Sequence, residues 1–157
     1  MRAHHYAVRT TWTGNQGYGT STYRAYSRDH KVELGDKPVL LGSADATFRG
    51  DPARYNPEEL LVTALSQCHL LAYLHLCATN QIVVTAYRDE ASGTMITTPE
   101  GGGAFNEVVL HPQVTVSADS DPDLARRLHH DAHAACFIAR SVNFPVHHEP
   151  QIVVEPA

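Results

Sequence analysis

Cys68 and Cys136 are the residues of this chain best suited to redox or covalent chemistry, and a third cysteine, Cys77, has to be separated from them. A single thiol can be a small core hydrophobe, a metal ligand or a nucleophile, so position must discriminate. Leu61, Leu65, Ala72 and Leu76 recur at helical spacing and predict a helix from Asn56 to about Asn80 that carries both Cys68 and Cys77. At ~100° and ~1.5 Å per residue, Cys77 falls on the face opposite Cys68 and ~13 Å further along the axis. The two cannot be bridged within one helix, and Cys77 is assigned to packing. Cys136, on another element, is the intrachain partner left to Cys68.

A thiol in the middle of a helix gains little from the macrodipole, so a reactive Cys68 needs a cation beside it. Arg49, between Phe48 and Gly50, is the stronger candidate, because an aromatic neighbour and a glycine suit a guanidinium held in a partly apolar pocket. Arg54 reads as a solvated loop charge. Glu58 precedes Cys68 by ten residues, ~15 Å along one helix, and cannot touch it there. Two copies of the helix packed antiparallel could bring Glu58 of one to Cys68 of the other; alone, Glu58 answers the helix dipole.

Eleven histidines are the one compositional excess. His129, His133 and Cys136 stand at i, i+4 and i+7 on one helix face, a spacing able to ligate zinc. The competing reading is an exposed His-rich helix, since no Cys-x-x-Cys or His-Glu-x-x-His signature accompanies them. His147 and His148 read as loop residues without a role.

The elements that must position these residues are partly legible. Asn56 is a preferred N-cap, Pro57 suits the first helical position, and Glu59 falls where a carboxylate returns a hydrogen bond to the cap. Ser120-Asp121-Pro122 offers a second helix start, with Leu124 to about Ile138 helical. Residues 4–13 alternate as a strand, Gly14 to Gly19 reads as the turn, and Thr20 to Tyr26 as the antiparallel partner. Leu34 to Phe48 is loop and short strand centred on Val39, Leu40 and Leu41. Gln81 to Thr98 and Phe105 to Ala118 flank a Gly-rich turn as a second, longer hairpin, and Ile152-Val153-Val154 closes the chain. Gly101-Gly102-Gly103 lacks the following helix and Lys-Ser/Thr of a phosphate loop. The order β-β-β-α-β-β-α-β predicts an α+β fold in a single domain, 1–157.

At 157 residues, 43% hydrophobic and 18% charged, the composition is that of a globular domain. A net charge of -5 without a basic run argues against nucleic acid and anionic membrane. The first residues hold no apolar signal region and the apolar stretches are interrupted by His69 and His75, so a cytoplasmic location and no membrane span are expected. Three cysteines are too few for a secreted disulfide framework.

With these residues in view, the chain resembles the OsmC/Ohr family of thiol-dependent peroxidases over nearly its full length. The resemblance rests on Asn56-Pro57-Glu58-Glu59-Leu60-Leu61 followed by Ala64 and Cys68, on Phe48-Arg49-Gly50, on Ala132-His133-Ala134-Ala135-Cys136, and on Trp12-Thr13-Gly14 with Gly19-Thr20. It implies an OsmC-like fold in which antiparallel sheets wrap long central helices of an intertwined homodimer. It further implies that Cys68 is the peroxidatic thiol, Cys136 the resolving one, and Arg49 and Glu58 the pair that orients and activates Cys68. The implied substrate is a small organic hydroperoxide, the reductant an external dithiol such as a lipoyl group, the role antioxidant, and no cofactor or metal is called for. Two departures mark a divergent branch: Cys136-Phe137-Ile138-Ala139-Arg140-Ser141 replaces the family's Cys-Pro-Val-Ser, and Gln67 and His69 replace the usual small and aromatic neighbours of the first cysteine. The alternatives are a metal-binding or sensing protein using His129, His133 and Cys136, and a family member that keeps the fold without the activity.

Overall fold

The computed structural model describes residues 1–157 as nine strands and two long helices in two compact units, Met1–Leu61 and Val62–Ala157. In the first unit, β1 (Arg9–Trp12), β2 (His30–Glu33) and β3 (Leu40–Gly42) form an antiparallel sheet in that order. The expected partner of the first strand is corrected. Trp12 pairs with His30 rather than with a residue of 20–26, and the ladder continues beyond β1 through Ser27 N–H to the Gly14 carbonyl at 2.9 Å. The intervening residues form a wide loop because Asn15 Oδ1 accepts from the backbone of Gly17 and Gly19 and turns the chain early. Arg28 then donates to the Tyr23 and Tyr26 carbonyls and lies over both rings, so the aromatic positions that suggested a strand pack on a guanidinium instead. Gly14 admits no side chain: a Cβ there would lie 2.0 Å from the Ser27 carbonyl oxygen.

Helix α1 (Pro57–Thr79) starts where the sequence places it. Glu59 N–H donates to Asn56 Oδ1 at 2.8 Å and Asn56 N–H to Glu59 Oε2 at 3.3 Å, a reciprocal capping box. The helix runs on into the second unit, where Leu65, His69, Tyr73 and Cys77, each four residues after the last, form its buried line. Its other faces are also apolar, and by length and composition alone it would pass for a membrane span.

The second hairpin is as expected in extent but is broken in its middle. β4 (Val84–Asp89) pairs with β7 (Pro112–Val116), and β5 (Ser92–Thr97) with β6 (Gly103–Leu110), so one long hairpin serves two sheets. Asp89 holds the break: its Oδ1 accepts from His111 N–H at 2.7 Å and its Oδ2 from the Ser66 hydroxyl of α1. Helix α2 (Pro122–Ala135) begins at Asp121, whose carboxylate accepts from the Asp123 and Leu124 N–H groups. After it, β8 (Val146–His148) and β9 (Gln151–Val154) add parallel to β6 and β7. The fold is α+β, as predicted, with mixed rather than purely antiparallel sheets and one closing strand more than expected.

Two apolar clusters fill the second unit. Tyr73, Cys77, Val114, Val116, Leu128 and Ala132 tie α1 and α2 to the β4–β7–β9 sheet, and Leu65, Val108, Leu110 and Val146 tie the start of α1 to the other. The Tyr73 hydroxyl, which burial keeps un-ionised, donates to the Ala125 carbonyl at 2.9 Å.

Candidate active site

Cys68 and Cys136 meet in the second unit. Cys68 is half-buried on α1, and Cys136 is 1% exposed at the C-cap of α2, one residue past the helix end, in an extended conformation. Burial first, and then the neighbouring Cys68 thiol, push the Cys136 thiol up to about 11, so it carries its proton at neutral pH. Cys77 is buried on the far face, where desolvation raises its thiol, and takes no part.

The turn after Cys136 is ordered without proline. Ala139 N–H donates to Cys136 Sγ at 3.4 Å, Arg140 N–H to the Cys136 carbonyl, and the Ser141 hydroxyl to the Phe137 carbonyl at 2.7 Å. Phe137 is 80% exposed and lines an apolar groove of about 660 Å³. Cys68 opens onto that groove together with Leu71, His75, Leu76 and Ala135. Such a surface suits an apolar ligand or a partner protein.

The two polar residues expected to act on Cys68 lie in the first unit and are not joined there. Asp45 caps a 3₁₀ turn (Ala46–Phe48), accepting from Thr47 N–H and hydroxyl, which lowers its carboxyl. Arg49 ends that turn in the left-handed conformation (φ 65°), and Gly50 follows because a Cβ there would lie 1.6 Å from the Ala44 carbonyl oxygen. The Arg49 side chain is exposed, lines a polar cavity with Arg28, Asp29 and Asp51, and forms no ion pair. Glu58 lines a separate cleft with Trp12, Tyr26, Arg28 and Phe48, and its Oε2 is buried without a hydrogen-bond partner. Arg54 is not the solvated charge expected: its Nε lies 3.5 Å from Asp29 and 3.7 Å from Asp51, and it donates to the His30 carbonyl.

The imidazoles are arranged otherwise than the metal reading requires. His129 is fully buried; its Nδ1 hydrogen-bonds His69 Nε2 at 3.0 Å, and its ring stacks on Tyr73 at 3.8 Å between centroids. His133 and Cys136 do not converge with it, and no three His, Cys, Asp or Glu side chains form a group able to hold a metal. Sequence assigns no role to His69, and it reads His147 and His148 as loop residues whereas both lie in β8, paired to β6. The signal for His69 was present, because it occupies the buried i+4 line of α1 between Leu65 and Tyr73.

Comparison with known proteins gives a consistent set. Residues 49–151 match the family described as OsmC-like protein. An OsmC-like protein of unknown function from Vibrio cholerae is 33% identical, with a TM-score of 0.84 over 95% of this chain and 100% of its own. An organic hydroperoxide resistance protein, OsmC, from Legionella pneumophila superposes with a TM-score of 0.71 at 18% identity, covering 98% of this chain and 100% of its own. One from Elizabethkingia anophelis does so with a TM-score of 0.68 at 17% identity, again covering 98% and 100%. At those identities the last two bear on the fold alone. No curated protein gives a significant match.

Proposed function

We propose, from the premise that this chain belongs to the OsmC-like family, that it is a thiol-dependent peroxidase acting on organic hydroperoxides. The observation that carries the reading is the asymmetry of the thiol pair: Cys68 opens onto an apolar groove, while its neighbour Cys136 is buried and protonated. A nucleophile must meet substrate and a resolving thiol must not, and the two environments divide the roles that way.

In the proposed cycle the Cys68 thiolate attacks the terminal peroxide oxygen. An S–O bond forms as O–O breaks, and the alkoxide leaves and takes up a proton. Cys136 then attacks the Cys68 sulfenic acid; the S–S bond forms and water departs with the thiol proton. A dithiol, a lipoyl group in the family resemblance, reduces the disulfide and returns two thiols, chemistry that suits the reducing cytoplasm.

Arg49 and Glu58 complete the site in this proposal. Arg49 would stabilise the thiolate and the charge developing on the peroxide, with Glu58 orienting it. The unpartnered Glu58 carboxylate oxygen supports this reading, since a buried acceptor without a donor is costly and calls for one. A homodimer is part of the proposal: Leu71, 66% exposed, and Phe137 are large apolar residues that a second copy would cover.

The test is steady-state consumption of cumene hydroperoxide in the presence of a dithiol. Activity should require Cys68, and peptide mapping after one turnover should find Cys68 joined to Cys136. Undiminished turnover by Cys68→Ser would end the proposal.

A further inference from the structure

The buried imidazoles lie on the path that holds the two thiols together. Along α1 and α2 the tethers run in opposite orders: Tyr73 reaches Ala125 and His69 reaches His129, with Cys68 and Cys136 neighbours beyond them. The helices therefore pack antiparallel, and the His69–His129 hydrogen bond is the tether nearest the thiol end. His69 directly follows Cys68, and His129 lies seven residues, two helical turns, before Cys136. Both rings are 1% exposed or less.

One further property sets this pair apart from ordinary core contacts. A neutral pair holds one ring proton in the 3.0 Å bond and a second on an outer nitrogen, and both outer nitrogens, His69 Nδ1 and His129 Nε2, are buried without partners. A further proton on the pair would place an uncompensated cation between the helices, and charging both rings would in addition oppose two N–H groups across the bond. No carboxylate is among the groups that act on either ring. From α2 the pair faces His133 and Arg126, from β8 it faces His148, and from α1 only Tyr73. His148 is in turn faced by His130 and His147. Of the carboxylates on the surrounding elements, Glu149 lies 3.4 Å from His111, Glu107 lies 3.6 Å from His147, and Asp131 of α2 is exposed.

We propose that the His69–His129 pair is a positioning element that holds the Cys136 thiol against Cys68, and that acid releases it. Neither imidazole touches substrate; both act through the helix that ends at Cys136. Desolvation first, and the neighbouring imidazoles second, hold His69 near 4 and His129 near 3, so the clamp is closed at neutral pH. Acidification charges it, α2 loosens at its thiol end, and Cys136 becomes exposed while the remaining core persists. The inference rests on the preceding section only for the use made of the thiol pair.

The test labels the reduced full chain with dithiodipyridine, a reagent that reacts with thiols in acid, and follows each cysteine by mass spectrometry. Cys77, buried on the same helix, reports global unfolding. In the wild type, Cys136 should be labelled at least about ten-fold faster at pH 4 than at pH 7 while Cys77 stays protected. The uncharged isosteres His69→Gln with His129→Asn keep a hydrogen bond across the pair and should keep Cys136 protected at pH 4. His129→Ala should expose Cys136 already at pH 7. Equal protection of Cys136 at both pH values in the wild type overturns the proposal, as does exposure of Cys77 together with Cys136. Should the variants not fold, the wild-type comparison of the two cysteines still decides. Absence of hydroperoxide turnover with this labelling pattern intact would sink the peroxidase reading and leave the clamp standing.

Discussion

At Cys136 the backbone does without the proline that commonly follows the second cysteine of the family. Three hydrogen bonds from Ala139, Arg140 and Ser141 fix the turn, so the thiol is aimed by the chain after it as well as by the helix before it. Cys136→Ser should accordingly leave the attack intact and trap Cys68 one oxygen heavier, detectable by intact mass after one equivalent of hydroperoxide. For the arginines the expectation differs by position. Arg49→Ala should lower kcat/KM by roughly 10²-fold or more with little change in melting temperature, as loss of a charge-stabilising group does. Arg54→Ala should instead destabilise the first unit, because it frees Asp29 and Asp51, and a thermal melt separates the two outcomes. Cys68 and Cys77 are separable by sequence because helical arithmetic is local, whereas Cys136 lies one residue beyond α2 and not within the helix expected to reach about Ile138. The histidine pair was not legible, since nothing in sequence announces that residues sixty apart will share a proton.

Elements with strong end signals were read correctly, and those defined by distant pairing were not. Asn56 with Glu59 and Asp121 with Pro122 announce their helices within four residues, and both starts fall there. Asn56→Ala should cost about 1 kcal/mol of stability, measurable by urea denaturation. β2 was misplaced because the choice between pairing β1 with 20–26 or with 30–33 is made by Asn15 and Arg28 capturing the loop between them. β8 escaped because three residues, Val146 to His148, carry no periodicity and owe their strand to a parallel neighbour.

Across the whole molecule, acid and association are the two variables to which stability should respond. The unfolded chain holds its imidazoles near 6.5, whereas His69 and His129 are held near 4 and 3 in the folded state. Between those values the unfolded chain binds more protons. The contribution is therefore complete above about pH 7 and is lost as pH falls through 6.5 towards 4, with a slope of up to about 1.4 kcal/mol per pH unit for each imidazole. His69→Gln with His129→Asn should flatten that slope in urea melts at stepped pH. Leu71→Glu should yield a monomer by sedimentation if a second copy covers that face. Architecture also dictates an order in time. The parallel strands β8 and β9 lock onto β6 and β7 only once residues 146–154 have been made, after both helices and both cysteines. Neither sheet of the second unit is therefore complete until the last strands exist, and folding of that unit has to wait for nearly the whole chain.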